Sequence, residues 1–187
     1  MNFNSKIHHR RSVRLKNYDY SQNGMYFVTI CTQDWKCLFG KVTENSKGEM
    51  ICVLNQAGKI AEKELRNTEK IRENVEMDCF IVMPNHVHAI IKIGNSVGAY
   101  CNTPLQKQTK TKFQSPSKNL GAIVRGYKST VTKKINELQN TPGIPVWQRN
   151  YHEHIIRNEK SLGKIRDYIF HNAAKWEKDK FHKTNEI

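Results

Sequence analysis

Acidic residues are scarce in this 187-residue chain. Its 17 Asp and Glu stand against 31 Lys and Arg, a net charge of +14. Such an excess suits a polyanion, meaning nucleic acid or an anionic membrane surface. No apolar run approaches the ~20 residues of a membrane span. The N-terminus lacks the apolar core of a signal peptide, and no apolar stretch follows Arg10-Arg11. The five cysteines show no C-x-x-C spacing and are odd in number. That argues against a zinc knuckle or a disulfide framework and fits a reducing cytoplasm. No Walker A or dinucleotide glycine motif is present, which argues against a nucleotide-driven reaction. The P-C-x-x-C half of the zinc deaminase signature is also missing.

What the chain does have is Met83-Pro84-Asn85-His86-Val87-His88-Ala89-Ile90-Ile91. This reads as a turn feeding a strand. Side chains at i and i+2 share a strand face, so His86 and His88 present two imidazoles side by side. Imidazole is a common metal ligand. The opposite face, Val87, Ala89, Ile91 and Ile93, is wholly apolar.

The surrounding pattern predicts an α+β domain. Residues 1–22 form a basic arm in which Arg10, Arg11, Arg14 and Lys16 can contact phosphates and Tyr18 or Tyr20 can stack on bases. Met25 to Thr32 reads as a strand, and a short hairpin fits on either side of 44–48. Asn55 caps a helix carrying Ala57, Ile60, Ala61 and Leu65. Val75 to Met83 and His86 to Ile93 are the next strands. Residues 94–119 read as a mobile basic loop. Leu120, Ile123, Val124, Tyr127, Val131, Ile135 and Leu138 mark a strong helix, with Arg125 and Lys128 on its polar side. A fourth core strand is expected around His154-Ile155-Ile156. A last helix is expected from about Ser161 to Trp176, followed by a frayed, charged tail over 177–187. This order suggests a ferredoxin-like split βαβ sandwich spanning 23–176, an antiparallel sheet with a C-terminal helix.

On the last helix Tyr168 and Asn172 stand four residues apart and share a face. Lys164, His171 and Lys175 lie near the same side. Read alone, Tyr168 is an ordinary half-buried packing residue and Asn172 a cap. A second H-x-H, His152-Glu153-His154, is a rival metal pair.

Three segments taken together resemble the single-tyrosine HUH transposases, and more narrowly the REP-associated tyrosine transposases. They are MPNHVHAII, WQRNYHEHIIRN (147–158) and IRDYIFHN (165–172), and RRSVRLKNYDYSQNGMYFVTICT near the start also looks like the opening of these proteins. The resemblance implies a metal-dependent enzyme that nicks and rejoins single-stranded DNA bearing imperfect hairpins. Tyr168 would be the nucleophile. His86, His88 and Asn172 would hold Mg²⁺ or Mn²⁺. His154, Lys164 and His171 would support the site, and Arg10, Arg11, Arg14, Lys16, Arg125 and Lys128 would bind DNA. A cytoplasmic, nucleoid-associated monomer or homodimer is expected, with no membrane partner. A non-cleaving hairpin DNA- or RNA-binding module, and a phosphoesterase that uses water, remain the alternatives.

Overall fold

The apolar segment after Asn23 forms β1, Gly24–Cys31, in the computed structural model, which describes residues 18–94 and 119–182. Tyr26, Val28 and Ile30 pack on one face of it, and Met25 and Phe27 on the other. β2 (Gly40–Glu44) and β3 (Met50–Leu54) make a separate hairpin. Gly40 has φ +153°, and a Cβ there would meet the Val53 carbonyl oxygen at 2.2 Å, so only glycine fits. Asn55 then caps α1, Gln56–Ile71, by accepting the Gly58 N–H at 2.9 Å. β4 (Val75–Val82) turns directly into β5 (His86–Ile93). Across 95–118 the structure is not described; α2 follows at Leu120–Gln139, capped by Asn119. β6 (His152–Ile156) and α3 (Glu159–Phe170) complete the main elements.

The four longer-range strands form one antiparallel sheet in the order β4-β5-β1-β6. β1 and β4 run parallel with β5 inserted between them, and β5 and β6 likewise flank β1. That is the split βαβ arrangement expected from the element order. α1 and α2 cover the face formed by Tyr26, Val28, Ile30, Val87, Ala89 and Ile91, burying Leu65, Ile123, Tyr127 and Val131 against it. Burial of this apolar surface is what holds the layers together, at roughly 25 cal/mol per Å². α3 lies on the opposite face, where Leu162 and Ile169 pack with Ile90 and Ile156.

Three features depart from expectation. The last helix is not continuous from Ser161 to Trp176. α3 stops at Phe170, His171 leaves helical geometry (φ −92°, ψ 11°), and a 3-10 segment runs over Ala173–Lys178. The break serves two cores: Leu162 and Ile169 bury against the main sheet, while Ala173 and Trp176 bury with Met83 beside the β2–β3 hairpin. The tail is not wholly frayed, because Phe181 is buried. Tyr20 is also buried, and Tyr18 packs edge-on against it, so these two rings belong to the core rather than to a free arm. The basic positions Arg10, Arg11, Arg14 and Lys16, and nearly all of the 94–119 loop, fall outside the described residues.

Candidate active site

The turn at Pro84-Asn85 sends the chain straight back, closed by the Met83 N–H donating to the His86 carbonyl at 2.8 Å. β5 therefore starts on His86, and the strand period puts His86 and His88 together on the α3 face. Both are essentially fully buried, and their rings lie 4.5 Å apart.

Each imidazole is oriented through Nδ1. The Asn85 amide Nδ2 donates to the carbonyl oxygens of Phe181 (2.7 Å) and Trp35 (3.3 Å). Asn85 Oδ1 must then be the acceptor facing His86 Nδ1 at 2.8 Å. His86 thus carries its proton on Nδ1 and points the Nε2 lone pair inward, where it is buried without a partner. His88 Nδ1 lies 2.8 Å from Thr29 Oγ1, and its Nε2 lies 3.2 Å from the Tyr168 hydroxyl.

α3 brings Tyr168 to this point. The Arg166 guanidinium forks onto the Asp78 carboxylate, with Nε–Oδ2 at 2.8 Å, pinning the helix to β4. Phe27 meets the Tyr168 ring edge-on at 6.1 Å. Just past the helix break, Asn172 is buried; its Nδ2 donates to Asp179 Oδ2 at 3.0 Å and its Oδ1 has no partner.

Asp179 is the site residue that sequence reading missed. Its carboxylate and the two imidazoles have ligand atoms all within 4.8 Å of one another, the one such cluster among the described residues. Nothing periodic marks it: it sits in a charged stretch and reaches the site only because the 3-10 segment turns there, with the Asp179 N–H on the Trp176 carbonyl at 3.0 Å. Phe181 was missed for the same reason. It stacks on Trp35 and packs against His86 at 4.9 Å and His88 at 5.8 Å.

Burial pushes His86 down to about 4, against the opposing pull of the Asp179 charge. Burial, the neighbouring His86 and Lys180 hold His88 well below its ordinary value. Both rings are therefore neutral at pH 7, the form that ligates a metal. Burial and the Asp179 charge push the Tyr168 phenol up to about 12. The donor set fits a divalent cation. Two buried acceptors, His86 Nε2 and Asn172 Oδ1, are orphaned beside a carboxylate and a second imidazole, an arrangement that is costly unless a cation or water takes the lone pairs.

The other expected residues lie further out. His152, not His154, stands in the same cross-strand row as Thr29 and His88, and its ring is 6.5 Å from Phe181. His154 pairs across from Phe27, exposed on the edge strand. Lys164 is exposed, and His171 is turned to its own helix, 2.9 Å from the Asp167 carboxylate. Arg125 is exposed on α2. The Lys128 ammonium instead donates to the carbonyls of Gln148 (2.5 Å), Arg149 (3.3 Å) and Asn150 (3.4 Å).

No protein-family model matches the chain. An uncharacterized protein of Haemophilus influenzae (strain ATCC 51907 / DSM 11121 / KW20 / Rd) is 41% identical over 181 residues, covering 96% of this chain and 97% of that one. A second protein of the same strain, named a REP-associated tyrosine transposase, is 22% identical over 169 residues, covering 86% of this chain and 77% of its own. A solved structure of a REP-associated tyrosine transposase bound to a REP hairpin superposes with a TM-score of 0.51 at 17% identity, over 87% of this chain and 73% of that one. The chain shares the fold of that solved REP-associated tyrosine transposase. The fold accounts for the placement of the candidate site: the β4–β5 turn supplies the imidazoles, and α3, on the same face, supplies Tyr168. No helix among the described residues is long and apolar enough to cross a membrane.

Proposed function

We propose that the protein is a metal-dependent single-stranded DNA endonuclease and strand transferase that acts through Tyr168 on hairpin-containing DNA. One observation carries the reading: the Tyr168 hydroxyl sits 3.2 Å from Nε2 of His88, beside the orphaned acceptors of His86 and Asn172. A pure binder needs no such grouping. Related proteins named as transposases, one of them solved with a REP hairpin, support the substrate class.

His86, His88, Asn172 and Asp179 would hold Mn²⁺ or Mg²⁺, ions suited to mixed nitrogen and oxygen donors. When bound, such an ion supplies Lewis-acid stabilisation of negative charge on a phosphodiester. The chain's own residues do the rest. Tyr168 Oη attacks phosphorus, the bond from phosphorus to the 3′ oxygen breaks, and the phenol proton ends on the leaving 3′ oxygen. The products are a 5′-phosphotyrosine and a free 3′-OH. Attack by the 3′-OH of a second strand reverses the step and joins DNA without ATP. Thr29 and Asn85 fix the imidazoles, and the Arg166–Asp78 pair fixes the height of Tyr168 on the sheet.

The packing of Phe181 over both imidazoles favours a second reading, a hairpin-binding module that does not cut. Incubation with labelled single-stranded hairpin DNA and Mn²⁺ or Mg²⁺ separates the two. A denaturation-resistant protein–DNA adduct that is lost in Tyr168→Phe supports the nuclease. Tight binding without an adduct under either metal supports the binder.

A further inference from the structure

Strand pairing lays four side chains in one row across the sheet face that carries Tyr168. Ile81 pairs with His88, His88 with Thr29, and Thr29 with His152. Neighbouring strands stand ~4.8 Å apart, so the backbones of His88 and His152 are ~10 Å apart, with the short Thr29 side chain between them. Such a gap between two imidazoles admits one phosphate group hydrogen-bonded on both sides. The Phe181 ring reaches both sides of it, 5.8 Å from His88 and 6.5 Å from His152, and is the ring that an entering phosphate moves aside. His152 itself is exposed on the edge strand. Its own strand puts His154 on the same face, across from Phe27, and Glu153 on the other, across from Val28. The 179–182 stretch brings Asp179, which joins the ligand cluster, and Lys180, whose ammonium lies 4.8 Å over the Phe181 ring. His182 packs on Trp176 at 4.7 Å. α3 brings Tyr168 onto His88, while His171 is held by Asp167 at 2.9 Å.

We propose that His152 is a catalytic residue whose imidazolium protonates the leaving 3′ oxygen, and whose neutral ring takes that proton back from the 3′-OH of the second strand in the joining step. The inference rests on the nuclease reading above and supplies the group on the leaving side of the phosphate. In an in-line displacement the leaving oxygen lies opposite the attacking one. The proton donor therefore stands across the phosphate from Tyr168. Tyr168 rests on His88, and His152 is the imidazole at the far end of the same row. His86, His88 and Asp179 are the candidate ligands of the cation, and His154 stands one row away, across from Phe27. Imidazole changes charge between pH 5 and 8, so one ring serves as acid in cleavage and as base in joining. A lysine ammonium keeps its proton over that range and supplies charge alone. In the cleavage step the bond from Tyr168 Oη to phosphorus forms. The bond from phosphorus to the 3′ oxygen breaks, and its electron pair takes the His152 proton. The phenol proton passes to water and the exposed ring recovers one from water, so the net balance is the one written above.

The test is the rate of adduct formation by the full-length protein with Mn²⁺ on two hairpin DNAs. One is ordinary DNA; the other carries sulfur in place of the bridging 3′ oxygen at the bond that the wild-type protein cleaves. A thiolate leaves without being protonated, so a missing acid is not felt on the second substrate. His152→Ala changes an exposed side chain and is expected to slow the reaction by about 100-fold on the oxygen substrate. On the sulfur substrate it should run near the wild-type rate. The fall in wild-type rate on the alkaline side of the pH profile should disappear in the variant. A full rate for His152→Ala on ordinary DNA overturns the inference and keeps the nuclease. An equal loss on both substrates does the same, as does sulfur rescue of Lys180→Ala or His154→Ala in its place. No adduct from the wild-type protein on any hairpin overturns the nuclease reading and the inference with it.

Discussion

The Tyr168 hydroxyl lies 3.2 Å from Nε2 of His88, the nitrogen left for a cation because Nδ1 faces Thr29 Oγ1 at 2.8 Å. The phenol and a cation compete for one lone pair. Removing the hydroxyl in Tyr168→Phe therefore abolishes the covalent adduct while divalent affinity holds or rises. The rise is bounded by the worth of one net hydrogen bond, ~1 kcal/mol, which is less than tenfold. Calorimetric titration with Mn²⁺ checks it; weaker binding in the variant would show that the phenol is itself a ligand.

Asp179 supplies the cluster's single carboxylate. Asp179→Asn keeps the shape and removes the charge, and is expected to weaken Mn²⁺ binding by at least about tenfold. Asn172→Ala removes the orphaned Oδ1 and also frees Asp179, so its loss is as large or larger. Chelation with EDTA should stop adduct formation while hairpin binding persists.

Asn85 organises three groups at once: His86 Nδ1, the Phe181 carbonyl and the Trp35 carbonyl. In Asn85→Ala the buried Nδ1–H loses its acceptor, at a cost of about 1–3 kcal/mol. Urea denaturation measures the loss. The variant should also release the 179–182 segment, seen as faster hydrogen exchange there.

Acid should weaken the metal-free fold. His86 titrates near 4 when folded and near 6.5 when unfolded. Below 6.5 the unfolded chain therefore binds the additional proton, so stability is fully present above that pH and is lost as pH falls toward 4. The loss is on the order of 3 kcal/mol, and His88 adds to it in the same direction. Denaturant titrations at pH 7 and pH 4.5 check the sign.

Much of this architecture was legible along the chain. Alternation gave the two faces of 86–93, and 3–4 spacing gave α1 and α2. Asn55 marked the cap of α1. The resemblance picked out His86, His88, Tyr168 and Asn172, and the fold places all four on one side of the sheet. The helix break at His171 was not legible, because no glycine or proline announces it; competition between two apolar clusters for Ile169 and Ala173 causes it.

The sequence by itself determined the order of elements, the apolar faces and the basic excess, since these depend on local period and on charge. Tertiary structure alone decided that Asp179 and Phe181 return to the imidazoles, that Asn85 sets the tautomer of His86, and that Lys128 is turned onto the carbonyls of 148–150. Those residues sit in turns and short 3-10 segments, where no period exists to read. Their roles come from where packing of distant segments leaves a polar group, and neighbours in sequence do not fix that.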